Sequence, residues 1–487
     1  MLWIGLYIPE LPLQLAERGT GENYPLVISA GPENRPIVHI ANQIAIDAGI
    51  KQGMTIAASR ALVNDLRIVT RVIDAEKDAI HNFAAWACQF TPSVSLQGNE
   101  GVLLEVHSTL TMHGGLAALL GKLRKGCQDI GYHVFGGVAP TPLAAWIFAK
   151  AKFHGYSVRT CQDMAAIESR IADLPLALLD WPYDTLSKLS ALGIVRFSEC
   201  LRLPADGFSR RFSEKRWADL MRILGRLPDP RLYFSVPESY RARADFGFEV
   251  NDAMALLFPL RRLLSEMEGF LRARGAGVLN CRLVLEHSHK VASTPVVIGV
   301  AQPERKADRL LNLAREHLSR LALPATVLAL SVEVDQIHNF KEVNGSWLPD
   351  PEEQCDGWYQ LLDKLVARLG SENVYRMQVV DEFRPEMAWK SISANAPWKS
   401  YRPKDIGMPR PMLLLPVPRR LLVDSDVPLC HGKINILAGP ERIECGWWDG
   451  QPICRDYFVG RNPHGETMWL YQDHRDLTNW HLHGYFS

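Results

Sequence analysis

Acidic side chains beside two predicted strands would be the first candidates for chemistry in this chain. The strands cover residues 3–7 and 101–106, and both are apolar enough to lie inside a sheet. Carboxylates that converge from adjacent strands hold two divalent cations about 3.5–4 Å apart and so support phosphoryl transfer. The first strand instead offers Tyr7 and Pro9, and neither side chain binds magnesium as a carboxylate does.

These two strands resemble the catalytic strands of the Y-family translesion DNA polymerases. In that family the first strand carries a hydrophobic-Asp-x-Asp motif, where this chain has Leu6 to Pro9. A later hairpin of the family carries Ser-Leu-Asp-Glu-Ala-x-x-Asp, where this chain has Glu100 to Glu105, and only Glu100 keeps an acid at a metal-ligand position. The resemblance is closest to the branch of the bacterial mutagenesis cassette that has lost catalysis. It predicts a protein that is not an enzyme and holds no metal or other cofactor.

Two alternatives remain open at this point. The chain could be a working translesion polymerase with an unorthodox acid set such as Glu10, Glu100 and Glu105. It could also be a DNA-repair binding module with no polymerase connection. Neither a phosphate-binding GxxxxGK[ST] loop nor a GxSxG or HExxH motif occurs, so nucleotide hydrolysis and common hydrolase chemistry have no support.

Two further segments lack the groups that would bind an incoming triphosphate. A segment that resembles the family's fingers keeps Asn42, but Gln43, Ile46 and Asp47 stand where the family has tyrosine, arginine and lysine. An apolar residue and an acid cannot offset phosphate charge. Pro142 stands at a third position where the family places a lysine near the phosphates.

The resemblance implies an α+β multidomain protein built like a Y-family polymerase, with a C-terminal extension that ends in a small β-rich unit. The predicted domains are palm-like (1–10 and 75–165), fingers-like (11–74), thumb-like helix-hairpin-helix (166–235), little-finger-like (240–335), a linker (336–357), and a C-terminal partner-binding region (358–487). Within residues 245–335 the periodicities predict a helix, two strands, a helix and a strand.

Nucleic-acid contacts are predicted from local charge, because 54 basic residues balance 54 acidic residues over the whole chain. Residues 192–243 hold eleven basic residues against six acids, the most basic long stretch. The predicted DNA-binding residues are Arg210, Arg211, Arg241, Arg243 and the hairpin glycine Gly193. The family's first hairpin is replaced by residues 180–185, which contain no glycine and so favour only weak backbone contact with phosphate.

A candidate sliding-clamp motif follows the last predicted strand of the little-finger-like domain. Gln336, Ile337 and Phe340 match the family's Gln-hydrophobic-x-Leu-Phe peptide, but Asn339 replaces the leucine. The resemblance further implies four partners: DNA, the clamp, an error-prone replicative-type polymerase subunit and the RecA-like protein ImuA.

The C-terminal segment alternates aromatic and polar residues between glycine turns, which is typical of a small β-meander. We expect its tryptophans (Trp447, Trp448, Trp469, Trp480) to be core rather than base-stacking residues. The nine cysteines are scattered and include no CxxC pair, so neither disulfides nor zinc is predicted. A chain with reduced thiols and no long apolar run is expected in the cytoplasm, with no membrane contact.

Overall fold

The structure is a computed structural model that describes the chain except residues 21–23, 33, 159, 289–290, 341–350, 395–408, 475 and 487. The chain forms two compact units, Met1–Arg368 and Leu369–Ser487. Helices and sheets alternate in the first unit, whereas the second is mainly β. The predicted mixture of α and β structure and the β-rich C-terminal unit are confirmed.

The strands predicted at residues 3–7 and 101–106 are present, as are the helices and strands predicted within residues 245–335. The strands are β1 Trp3–Tyr7, β2 Leu26–Ala30, β3 Ile37–Ala41, β4 Arg67–Thr70, β5 Val94–Leu96, β6 Gly101–Glu105, β7 Phe135–Ala139, β8 Tyr240–Val250, β9 Ala276–His287, β10 Thr294–Glu304, β11 Val327–Val334, β12 His338–Asn339, β13 Tyr375–Val379, β14 Trp389–Ser393, β15 Leu413–Arg420, β16 Leu422–Asp424, β17 Val427–Leu429, β18 Asn435–Cys445, β19 Ile453–Arg461, β20 Thr467–Asp473 and β21 Asp476–Tyr485. The helices are α1 Leu11–Thr20, α2 Gln43–Asp47, α3 Ile56–Leu62, α4 Ile73–Ala87, α5 Leu110–His113, α6 Leu116–Asp129, α7 Pro142–Phe153, α8 Ile167–Ile171, α9 Tyr183–Ala191, α10 Phe197–Leu201, α11 Ala205–Phe212, α12 Glu214–Ile223, α13 Leu257–Ala273, α14 Ala307–Leu318 and α15 Pro351–Leu369.

The first sheet has the strand order β5-β6-β1-β7, and β1 is antiparallel to both of its neighbours. Successive side chains of a strand point to opposite faces. Ile4 and Leu6 therefore pack in one core with α4 and α6, while Trp3 and Tyr7 face α7 in another. Gly5 permits this packing, because a Cβ at this position would lie 2.7 Å from the backbone oxygen of Ala145 in α7.

The second sheet has the order β10-β9-β11-β8, and the two-residue strand β12 pairs with β9. Helices α13 and α14 cover one face and share its apolar core. The periodicity analysis of residues 245–335 missed β8, which supplies the edge strand of this sheet. Its alternating exposed and buried residues are those of a strand with one face in the core.

A buried polar cluster links α1 to α13, one of the helices that cover the second sheet. Arg18 of α1 forms an ion pair with Glu266 of α13 and donates a hydrogen bond to the hydroxyl of Tyr132 at 2.6 Å. Arg18 and Glu266 are almost fully buried. A buried ion pair leaves a costly lone charge if one partner is removed, so this cluster couples α1 to α13.

The second unit contains the C-terminal sheet, in the order β15-β21-β20-β19-β18, and two separate hairpins, β13-β14 and β16-β17. Within the parts of the chain that the structure describes, no helix is long and apolar enough to cross a membrane.

Candidate functional site

The register of the first sheet brings the predicted catalytic positions to one corner. Tyr7 lies opposite Gly101, and the Ile8 N–H donates to the backbone oxygen of Glu100 at 2.7 Å. Trp3 and Glu105 pair at the other end of the same two strands. The sequence-based alignment of the two motifs therefore corresponds to a real juxtaposition.

Glu105 does not join this corner. Five residue steps along the chain separate it from Glu100, which amounts to about 17 Å at a rise of about 3.4 Å per residue. The Glu105 carboxylate accepts hydrogen bonds from the backbone N–H groups of Leu2 at 3.3 Å and His107 at 3.2 Å. The unorthodox acid set considered above is therefore not assembled as a set of three.

An aromatic cluster occupies the corner where carboxylates would be needed. The Tyr7 ring packs edge-on against Trp146 at 5.2 Å and against Phe153 at 5.7 Å between centroids. A Cβ at Gly101 would lie 2.0 Å from the backbone oxygen of Leu6 and 2.8 Å from the Trp146 ring. Any side chain at position 101 would thus collide with the strand and with the indole.

The polar groups around the corner favour a neutral Tyr7. Its pKa is raised to about 12, first because the hydroxyl is buried and then because Glu100, Asp180 and Glu10 lie near it. Asp180 is itself engaged, since it accepts from the indole N–H of Trp146 at 3.3 Å and from Lys150 at 2.5 Å. Among the described residues, no three His, Cys, Asp or Glu side chains are grouped so that they could hold a metal ion.

The segment that resembles the fingers keeps residues that build its backbone. The side-chain oxygen of Asn42 caps α2 by accepting the Ala45 N–H at 3.0 Å. Gln43 donates to Asp47 at 2.7 Å across one exposed helical turn, and Ile46 is half exposed. The retained position is structural, whereas the three altered positions face solvent.

The predicted helical hairpin around Gly193 is present, with this glycine at a φ of +78° between α9 and α10. The Glu199 carboxylate accepts from the backbone N–H groups of Val195 at 2.7 Å and Arg196 at 2.9 Å. These hydrogen bonds lower the pKa of Glu199 and hold it ionised. Two donors of the hairpin that could face a phosphate are therefore occupied by an acid of the same chain.

The four predicted DNA-binding arginines fall into two different settings. Arg210 and Arg211 are exposed in the last turn of α11, and neither forms an ion pair with a described residue. Arg241 and Arg243 project from β8 in the second sheet. The structure does not bring all four onto one element.

The β8 arginines are paired with acids of their own sheet. Arg241 lies 3.2 Å from Glu333 of β11, and Arg243 contacts both Asp245 at 2.9 Å and Glu286 of β9. These ion pairs balance positive charge on the face of the second sheet that α13 and α14 leave open. The sequence analysis included these arginines in a positive patch, but their cross-strand partners, Glu286 and Glu333, lie 43 and 92 residues later in the chain.

The candidate clamp motif is packed on the second sheet. His338 and Asn339 form β12 against Gly277 and Ala276 of β9. The Arg305 guanidinium lies 4.4 Å from the centre of the Phe340 ring. Gln336 is exposed, while Ile337 packs against the core of the second sheet. Trp347 and Leu348, in the linker that follows, lie outside the described residues.

The prediction that the C-terminal tryptophans form a core is confirmed for two and wrong for two. Trp469 and Trp480 are buried, and Trp469 stacks on Tyr457 at 4.0 Å between centroids. His483 joins this stack, and burial lowers its pKa to about 4. Trp447 and Trp448 are 79% and 56% exposed. Their turn, GWWDG between β18 and β19, keeps them out of the core.

Several known proteins resemble this chain. Residues 14–150 match the impB/mucB/samB family. Protein ImuB of Caulobacter vibrioides is 25% identical over 90% of this chain and 100% of its own length. DNA polymerase IV of Dehalococcoides mccartyi is 25% identical over 40% of this chain and 50% of its own length. The crystal structure of DinB from Sulfolobus solfataricus aligns with 69% of this chain and 98% of its own, at 15% identity and a TM-score of 0.40.

Proposed function

We propose that this chain, a homologue of Protein ImuB with a Y-family polymerase-like fold, is a non-catalytic scaffold in error-prone translesion synthesis after DNA damage. In this role it would link DNA, the sliding clamp and an error-prone polymerase subunit. The RecA-like protein ImuA would be a further partner.

The observation that carries the proposal is the filled corner of the first sheet. Gly101 has no room for a side chain because Trp146 and the β1 backbone occupy that space. The Tyr7 hydroxyl stays protonated at neutral pH, so it cannot replace an ionised carboxylate. Positioning two metal ions needs several converging carboxylates, and this corner provides Glu100 and Glu10 beside an aromatic cluster.

The domain assignment is part of the proposal. We assign the palm-like role to residues 1–10 and 75–165, the fingers-like role to 11–74, the thumb-like role to 166–235 and the little-finger-like role to 240–335. The C-terminal region, 358–487, would bind partner proteins. Exposed Arg210 and Arg211, together with the arginines of β8, would contact the DNA backbone weakly and without reading its sequence.

Clamp binding would use Gln336, Ile337 and Phe340. Gln336 is already exposed, but Phe340 contacts Arg305. A clamp that binds this peptide therefore has to displace Phe340 from the second sheet. Such a requirement lowers the apparent affinity by the fraction of molecules in which the peptide is released.

A primer-extension assay on the purified full-length chain tests the central claim. With magnesium or manganese present, we expect no nucleotide incorporation above the level given by a Glu100→Ala variant. Metal-dependent incorporation that disappears in Glu100→Ala would contradict the proposal and support a working polymerase, because Glu100 is the acid nearest the old ligand pattern. A DNA-repair module without polymerase connection would instead bind DNA but neither clamp nor polymerase subunit.

A further inference from the structure

The turn between β18 and β19 presents two adjacent tryptophans to solvent. Trp447 and Trp448 are 79% and 56% exposed, and their rings are perpendicular at 5.6 Å between centroids. Each tryptophan therefore exposes a large apolar area to water. Soluble proteins seldom leave such area uncovered unless it contacts a partner.

Hydrogen bonds to Asp449 hold the backbone of this turn in place. Asp449 accepts a hydrogen bond from Arg384 at 2.6 Å and another from the Gln451 N–H at 3.1 Å. Gly446 has a φ of +83°, and a Cβ there would lie 2.3 Å from the Gln451 oxygen. The tryptophans are therefore displayed on a preformed turn, so binding through them would cost little backbone ordering.

A second exposed apolar element, the β13–β14 hairpin, is connected to this turn through Arg384. Val379 of β13 pairs directly with Trp389 of β14, and on the same face of this hairpin Tyr375 and Met377 are more than half exposed. Arg384 lies in the connection between these two strands. In the described part of the chain no third strand joins this hairpin. Two-stranded hairpins are marginally stable alone, so an added contact would stabilise this one.

The charges around these tryptophans are mainly acidic at the surface. Four acids of the two segments are exposed (Asp381, Glu386, Glu444, Asp449) against two bases (Lys390, Arg442). Arg384 is buried beneath the turn and bonded to two acids. A nucleic acid stacked on the tryptophans would bring its phosphates close to these carboxylates. A protein surface with basic residues around an apolar pocket has the complementary charge.

We propose that Trp447 and Trp448, together with the exposed face of the β13–β14 hairpin, form a protein-docking surface. Its partner would present an apolar pocket flanked by lysine or arginine. The two tryptophans would supply most of the affinity, because interface energy concentrates in a few large, rigid side chains. This inference rests on the proposed scaffold function and assigns one of its partner contacts to named residues.

The test compares the full-length chain with a Trp447→Ala, Trp448→Ala double variant. Each protein is titrated separately with purified clamp, polymerase subunit and RecA-like partner, and with a 20-nucleotide oligo-dT strand. A Val417→Ala, Leu422→Ala double variant is the matched control, since both side chains are more than three-quarters exposed in the same unit. Far-UV circular dichroism checks that all three proteins are folded.

We expect the tryptophan variant to bind one of the three proteins about tenfold or more weakly, while the control binds like the wild type. Equal protein affinities for the tryptophan variant and the wild type would overturn this inference and leave the scaffold function standing. A loss confined to oligo-dT would also overturn it, because the surface would then bind nucleic acid. If the wild type binds none of the three proteins, both proposals fail.

Discussion

The corner of the first sheet and the turn between β18 and β19 use tryptophan in opposite ways. Trp146 is 2% exposed and packs against Tyr7, whereas Trp447 is 79% exposed on a fixed turn. In the corner, the rest of the protein covers the indole and leaves only 2% of it exposed. In the turn, the backbone is held equally firmly but the indole remains available. The difference shows that a rigid backbone does not by itself identify a functional aromatic residue. What distinguishes the two regions is whether the ring is exposed to solvent.

The largest expected difference between the two regions is in stability. Trp146→Ala should lower the free energy of unfolding by about 3–5 kcal/mol, because it opens a cavity in a closely packed core. Trp447→Ala should change it by no more than about 0.5 kcal/mol, because the side chain has few contacts to lose. Urea denaturation of the full chain, followed by far-UV circular dichroism, measures both. Similar small losses in both variants would show that the corner is not a packed core.

A pair of glycine variants sharpens the claim that the corner is full. Gly101→Ala should destabilise the protein by about 1–3 kcal/mol, since the added Cβ meets the Leu6 oxygen and Trp146. Gly121→Ala, in the middle of α6 with no atom within 4 Å of the new Cβ, should stabilise it by about 1 kcal/mol. Thermal unfolding distinguishes the two signs. Stabilisation by both substitutions would mean that position 101 can accept a side chain.

Much of the fold could be predicted from the sequence, because apolar periodicity reports directly on which face of an element is buried. Strands β1 and β6 were recognised in this way. Strand β8 was missed although its residues alternate, because the arginines of YRARADFGFEV suggested a DNA-binding stretch and its alanines are not typical strand residues. Its pairing with β11 is a long-range contact that local patterns do not report.

The candidate site was predicted less completely. The family resemblance identified Tyr7 and Gly101 as altered positions, but it gave no reason to expect Trp146 in the vacated space. That contact depends on how closely α7 approaches the sheet, which in turn depends on Gly5 and Gly137. Glu199 was missed in a similar way. Its three-residue spacing from Arg196 at a helix start could have indicated that it would bind the backbone N–H group of the residue that caps α10.

Phe340 is partly buried, between fully buried Trp146 and exposed Trp447. It therefore tests whether a partly buried aromatic side chain can still bind a partner. Phe340→Ala should weaken clamp binding by about 2 kcal/mol, or about thirtyfold, because the ring is the main apolar anchor of the peptide. Asn339→Leu should strengthen binding, since it restores the apolar side chain that the pocket accepts. Titration of clamp against each full-length variant measures both changes. Unchanged affinity in both would exclude this peptide and direct attention to Trp347 and Leu348.

The smallest expected effect concerns DNA binding and compares arginines that form ion pairs with arginines that do not. Arg210 and Arg211 form no ion pair with a described residue, whereas Arg241 and Arg243 are bonded to acids. Arg210 and Arg211 can replace cations at DNA phosphates without first breaking an ion pair, whereas Arg241 and Arg243 cannot. Each phosphate contact contributes about 0.9 to the slope of log affinity against log salt concentration. Arg210→Ala, Arg211→Ala should therefore flatten this slope by about 2 and weaken binding about tenfold at low salt.

Releasing the paired arginines should have the opposite effect. A Glu286→Gln, Glu333→Gln variant frees Arg241 and removes one of the two acids that hold Arg243, which keeps Asp245, so it should steepen the slope by about 1 to 2 if the open face of the second sheet contacts DNA. Fluorescence anisotropy with a labelled primer–template between 50 and 200 mM salt measures both variants, and a second DNA of unrelated sequence should give the same slopes because phosphates carry no sequence information. A slope unaffected by the glutamine variant would mean that this sheet face does not meet the backbone. The ion pairs would then only stabilise the sheet, and the DNA contact would rest on α11.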